Sequence, residues 1–141
     1  MSTFESEVVK ASCSDEDIFR FISDLRNLEF VKHKVPADKI SDLSFDEDSC
    51  HFNISMLGKV GLKVVDRDPY KTVKYGSDNS PVGFDLWIQL KKISENDTRI
   101  KVTMKAEMNF MIKQLIEPMV EPMLGKLARA LASFPYEKYQ K

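Results

Sequence analysis

Two periods divide this chain. Residues 3–11 alternate, with Phe4, Ser6 and Val8 on one side and Glu5, Glu7 and Val9 on the other, which predicts a first strand over roughly Thr3–Ala11. Ser14-Asp15-Glu16-Asp17 then reads as a helix start, with a capping hydroxyl and three acids at the positive end of the dipole. Ile18, Phe19, Ile22 and Leu25 would be its buried face, and Leu28 and Val31 continue the pattern into a second short helical turn before Pro36. From there the period falls to two. Leu43 and Phe45, then Cys50, Phe52, Ile54 and Met56, then Val60, Leu62 and Val64, then Val73 and Tyr75 mark successive strands. The two clearest strands follow: Phe84, Leu86, Ile88 and Leu90, and Ile100, Val102, Met104, Ala106 and Met108, each alternating with polar residues. The last stretch returns to a helical period. Ile112, Leu115, Ile116, Met119, Met123, Leu127 and Leu131 form a stripe that Val120, Leu124 and Ala128 widen. That stripe is too apolar to face water, so a sheet is expected to cover it.

The order is strand, two short helices, six strands and a long helix. Short turns between consecutive strands imply an antiparallel meander, and the first strand should join its edge beside the last strand. The predicted fold is α+β: a curved seven-stranded antiparallel sheet around a long C-terminal helix. One domain over residues 1–134 and a short tail over 135–141 are expected.

Glu117-Pro118-Met119 and Glu121-Pro122-Met123 complicate the helix. A proline inside a helix removes a hydrogen bond and costs about 3 kcal/mol or more. The sequence therefore predicts a lead-in helix over Phe110–Glu117, a break or kink at Pro118–Pro122, and a main helix to about Ser133.

The resemblance lies in the Phe4–Val9 strand, the Ser14-capped helix running into Asp24-Leu25-Arg26-Asn27-Leu28, the Asn79-Ser80-Pro81 loop before Phe84–Leu90, and the strand-to-helix passage at Ala106–Leu115. These features resemble the START-like or Bet v 1-like helix-grip superfamily, and within it the small bacterial polyketide cyclase/dehydrase and lipid-transport type. The resemblance covers about Thr3 to Phe134. It implies a cavity between sheet and helix that holds a small hydrophobic molecule or lipid.

Strand parity supplies candidates for that cavity: Phe52, Ile54, Met56, Leu62, Tyr75, Phe84, Leu86, Ile88, Met104 and Met108 from the sheet, and Leu115, Met119 and Met123 from the helix. No carboxylate, histidine, lysine or arginine falls on the inward positions. General acid–base catalysis needs a titratable group within reach of substrate, and the only inward polar side chains are Cys50 and Tyr75. A non-catalytic binder or carrier is therefore the leading reading. The competing readings are a cyclase/aromatase- or hydratase-like enzyme using Tyr75 and Cys50, and a protein-interaction module resembling a chaperone cofactor, with a filled core and an outward Trp87. The Tyr75 hydroxyl needs a partner, either a backbone group or a ligand head. Five methionines, Met104, Met108, Met111, Met119 and Met123, suit an adaptable apolar wall.

Composition excludes several classes. The 141 residues carry a net charge of −1, and no run of basic residues offers a stripe for nucleic acid. The apolar runs are too short for membrane insertion, and the first ten residues lack an apolar secretion segment, so a cytoplasmic protein is expected; the apolar residues have a place inside one domain, so a monomer is expected. Cys13 and Cys50 have no metal-ligand spacing and should be reduced thiols. His33 and His51 make no metal site, and Asp46-Glu47-Asp48 reads as a turn with at most a weak cation site. No cofactor is implied.

Overall fold

The computed structural model describes residues 2–30, 40–54 and 57–136. Strands β1 (Ser2–Glu5) and β2 (Val9–Ala11) precede helix α1 (Asp15–Ile22) and a 3-10 helix over Leu25–Phe30. Strands β3 (Ile40–Phe45), β4 (Ser49–Ile54), β5 (Gly58–Asp68), β6 (Thr72–Ser77), β7 (Gly83–Ser94) and β8 (Asp97–Glu107) lead to helix α2 (Phe110–Ser133). All pairings are antiparallel, in the order β1-β8-β7-β6-β5-β4-β3, with β2 also on β8. The expected meander and the edge position of the first strand are both observed.

The first strand is two pieces. Glu5 pairs with Thr103 and Val9 with Ile100, so four steps on one strand meet three on its neighbour. Ser6 holds this bulge: its N–H donates to the Val102 carbonyl at 2.8 Å and its hydroxyl accepts from the Val102 N–H at 2.9 Å. An extra residue in one strand flips the side-chain parity beyond it. Val8, on the same side as Phe4 by plain alternation, is exposed, and Val9 packs on the core with Phe4 instead.

Helix α1 starts where its chemistry says it should. The Ser14 hydroxyl accepts from the Asp17 N–H at 3.2 Å, and Ile18, Phe19, Phe21 and Ile22 are buried. Each strand from β4 to β8 sends its expected apolar set to one face, with Cys50, Val60, Val73, Tyr75, Ile88, Leu90, Ile100, Val102 and Ala106 buried. That face, α1 and α2 enclose the core.

Helix α2 differs from expectation in two ways. It runs unbroken from Phe110 to Ser133 with Pro118 and Pro122 inside it. Both prolines are exposed, as are Gln114 and Glu121, so the carbonyls that lose an N–H partner face water, which can bond them. Asn109 caps the helix, accepting from the Ile112 N–H at 2.9 Å. The buried line is also rotated. It follows Ile116, Val120, Leu124, Ala128 and Leu131, while Leu115 is 50% exposed. The chain stays packed beyond Phe134. Tyr136, expected in the tail, is buried, with its ring 5.6 Å from Phe21 and its hydroxyl donating to the Leu131 carbonyl at 2.6 Å.

Candidate functional site

Between the sheet and α2 lies an apolar cavity of two lobes. The outer lobe has a volume of about 290 Å³. Its roof is Ile116, Met119, Val120, Met123, Leu124 and Leu127 of α2, four residues apart in two rows, and its floor is Phe52, Ile54, Leu62, Phe84, Leu86 and Met104. Leu28, Ile40, Leu57, Ser80 and Val82 also line it. The inner lobe, about 170 Å³, runs under the end of α1, where Phe21, Ile22 and Leu25 face Cys50, Tyr75 and Ile88. Leu28, Ile40, Phe52, Leu62, Leu86 and Leu127 border both lobes, so the two adjoin.

The candidates named from sequence divide accordingly. Phe52, Ile54, Leu62, Phe84, Leu86, Met104, Met119 and Met123 line the outer lobe. Tyr75 and Ile88 line the inner lobe. Met108 packs against the core but borders neither lobe, and Leu115 points to solvent because the buried line of α2 is centred on Val120 and Leu124. Met111, counted among the methionines of the wall, is 74% exposed. Met56 and His33 lie outside the described residues. Sequence reasoning missed the polar members: Ser80 and Lys126 in the outer lobe, Asp24 and Asn27 in the inner. Lys126 sits between Met123 and Leu127 on the helix, at the edge of the apolar stripe, where a lysine lays its stem on apolar surface and keeps its ammonium in water. That position is the signal that could have found it.

The polar groups of the inner lobe are bound to the protein itself. The Tyr75 hydroxyl donates to the Ile22 carbonyl at 2.5 Å, which settles on a backbone partner. Burial pushes its pKa well above the ordinary tyrosine value. The Asn27 amide donates to the Phe21 carbonyl at 2.9 Å. The Asp24 carboxylate accepts from Arg26, which holds it below the usual carboxylate range. Burial pushes the Cys50 thiol up to about 12, so at neutral pH it is protonated and a poor nucleophile.

The acidic turn is equally occupied. Asp46 accepts from the Ser49 hydroxyl at 2.9 Å, the Ser49 N–H at 2.8 Å and the Asp48 N–H at 3.0 Å, and these bonds hold its pKa down. Asp48 pairs with Arg67 at 2.7 Å. His51 meets Asp78 at 3.2 Å. Among the described residues no group of three or more His, Cys, Asp or Glu side chains is placed to hold a metal. On the outer sheet face the Lys74 and Lys105 ammonium groups stand 5.2 and 5.8 Å from the Trp87 ring centroid, so lysines flank this tryptophan. Among the described residues no helix is long and apolar enough to cross a membrane.

A sheet of this order gripping one long C-terminal helix, with short helices after the first strand, is the Bet v 1-like or START-like helix-grip fold. Solved structures agree. Norcoclaurine synthase from Thalictrum flavum, in complex with dopamine and hydroxybenzaldehyde, superposes with a TM-score of 0.73 at 13% identity, covering 99% of this chain and 89% of its own. A START superfamily protein from Mycobacterium smegmatis gives 0.64 at 13% identity, covering 98% and 99%. A Deinococcus radiodurans protein gives 0.56 at 12% identity, covering 93% and 98%. At these identities the likeness is one of fold. No family model and no curated protein matches the chain.

Proposed function

We propose that this protein is a non-catalytic binder or carrier of a small hydrophobic molecule or lipid, acting as a cytoplasmic monomer. The observation that carries the reading is the outer lobe, about 290 Å³ with a wall almost wholly apolar. Ligand pockets of drug-sized molecules start at roughly 300 Å³ and place few polar groups in an apolar wall. Burying apolar ligand surface there is worth about 25 cal/mol per Å² removed from water, before ordering costs. Methionines on both walls, Met104 below and Met119 and Met123 above, let the space adapt to shape.

The cyclase- or hydratase-like reading has less support. A general acid or base must reach the substrate with a pKa near the working pH. Tyr75 spends its proton on Ile22, Cys50 is held as a thiol, and Asp24 is paired with Arg26. The interaction-module reading requires a filled core, which the two lobes weigh against. Native mass spectrometry of protein purified from its own host tests the proposal. A mass increment of a small organic molecule that leaves on denaturation is expected. Bare protein that also fails to take up any apolar dye would overturn it.

A further inference from the structure

Among the described residues, the wall of the outer lobe has one charged side chain, Lys126, and one hydroxyl, that of Ser80. Lys126 is exposed and forms no ion pair with the described residues. The other cationic side chains of α2 are committed elsewhere: Arg129 bonds Glu7, and Lys113 pairs with Glu117 at 3.7 Å. The Ser80 oxygen accepts from the Val82 N–H at 3.3 Å, which leaves its hydroxyl hydrogen to donate. A cation and an O–H donor among the residues lining an otherwise apolar chamber are groups that can each bond an anionic oxygen.

Volume limits what hangs behind that group. At ~30 Å³ for each water-sized group, the outer lobe takes roughly ten and the inner lobe roughly six. One chain of about a dozen carbons fills that space, whereas a two-chain phospholipid exceeds it several-fold in carbon count. Among the described residues the inner lobe offers a long chain no free polar partner, since Tyr75, Asn27 and Asp24 are all bonded within the protein.

We infer that the ligand is a single-chain amphiphilic carboxylate, with its chain in the two lobes and its head against Lys126 and Ser80. This rests on the binding function proposed above and names the chemical class. The carboxylate takes a charge-assisted bond from the ammonium, and an alcohol of equal length takes only a neutral one. A quaternary ammonium head is repelled.

Three probes of one chain length separate the ideas: dodecanoate, 1-dodecanol and dodecyltrimethylammonium, each below its micelle concentration. Displacement of an apolar fluorescent dye reads their affinities for wild type, Lys126→Met and Ser80→Ala. Lys126→Met keeps the stem over the cavity and removes the charge. Dodecanoate is expected to bind wild type roughly tenfold tighter than dodecanol, with the ammonium weakest, and Lys126→Met should lose about that tenfold for dodecanoate alone. Lys126→Arg should retain the preference, and melting curves check that each variant is folded. If all three probes bind wild type equally, or Lys126→Met leaves dodecanoate unaffected, the inference fails while the hydrophobic-binding reading stands. If no probe binds and the dye is not taken up, the binding reading itself falls, and the inference with it.

Discussion

Removing one oxygen from Tyr75 tests whether this side chain holds the fold together. Tyr75 is 2% exposed, and its hydroxyl donates to the carbonyl of Ile22, the last residue of α1. Carbonyls in the last turn of a helix have no intrahelical partner, so the tyrosine caps α1 and ties it to β6. Tyr75→Phe keeps the ring and leaves that carbonyl unpaired. An unsatisfied buried acceptor costs about 1–3 kcal/mol. Water entering the inner lobe beside it would recover part, which puts the expected loss at about 1–2 kcal/mol. That lowers Tm by about 2–8 °C for a chain of this size. Urea unfolding followed by far-UV circular dichroism at pH 7 should show a lower midpoint with an unchanged slope. Alkaline pH gives a second reading. Burial raises the folded pKa of Tyr75, while in the unfolded chain it titrates near 10. The folded state then binds more protons than the unfolded one, so this contribution is whole below pH 10 and shrinks above it by about 1.4 kcal/mol per pH unit. Phe has no such proton, so the gap between wild type and variant should narrow from pH 9 to 11. Tyr136 and Cys50, also raised by burial, impose the same alkaline slope on both proteins. A variant within 0.5 kcal/mol of wild type at pH 7, or a gap that stays constant to pH 11, would refute the reasoning.

Ile88→Ala, at a buried position of β7, should cost about 2–5 kcal/mol in denaturant, as other large buried residues do. Phe52→Ala should cost less than Ile88→Ala despite the larger side chain, because Phe52 is only half-buried whereas Ile88 is buried; Phe52 borders both lobes, so competition binding should show longer probes admitted. Gly61→Ala should destabilise by about 1–3 kcal/mol. A Cβ there would press on the Asp78 carbonyl and stand 2.5 Å from His51 Cδ2, so thermal melts should show the loss and the His51 side-chain resonances should shift.

The sheet was legible because one buried face imposes a strict period of two. Phe84–Leu90 and Ile100–Ala106 announce their inward residues, and the register of β7 on β8 follows them residue by residue. What the period cannot show is where it slips. Nothing in Ser6-Glu7-Val8 separates a bulge from plain alternation, since the cause is a hydroxyl bonding a strand nearly a hundred residues away. The helix was legible as an element but not in its rotation. Ile112, Leu115 and Met119 fit a helical stripe as well as Ile116, Val120 and Leu124 do, and only packing on the sheet chooses between the two lines. Of the cavity, the apolar wall came from parity, but Lys126 and Ser80 did not, because a polar side chain that lines an apolar wall obeys neither the inward nor the outward pattern. Tyr75 was placed correctly on the inner face; its partner lies fifty-three residues away and depended on where α1 ends.

The prolines of α2 leave a question that hydrogen exchange answers. Pro118 and Pro122 give up the bonds that would run to the carbonyls of Gln114 and Pro118, on the solvent side of the helix that roofs the outer lobe. A proline in a helix interior costs about 3 kcal/mol relative to alanine. Two of them, with Gly125 a turn later, make this the part of α2 with the weakest local support, and regions of that kind open at free energies well below global unfolding. The expectation is that amides of Met119–Leu124 exchange much faster than those of Val102–Ala106 in the middle of the sheet, and that bound dodecanoate slows the former only. Opening there would separate Met119 and Met123 from Met104 and admit a chain. Replacing both prolines by alanine restores two helical bonds. Alanine also loosens the unfolded chain, by about 0.4–1 kcal/mol per site, so from about 3 kcal/mol per proline the net gain should be at most on the order of 4–5 kcal/mol. The double variant should be more stable and slower to take up dodecanoate in stopped flow. Protection of Met119–Leu124 equal to that of the strand in the free protein would show a static roof, and unchanged uptake by the double variant would mean that the ligand enters elsewhere.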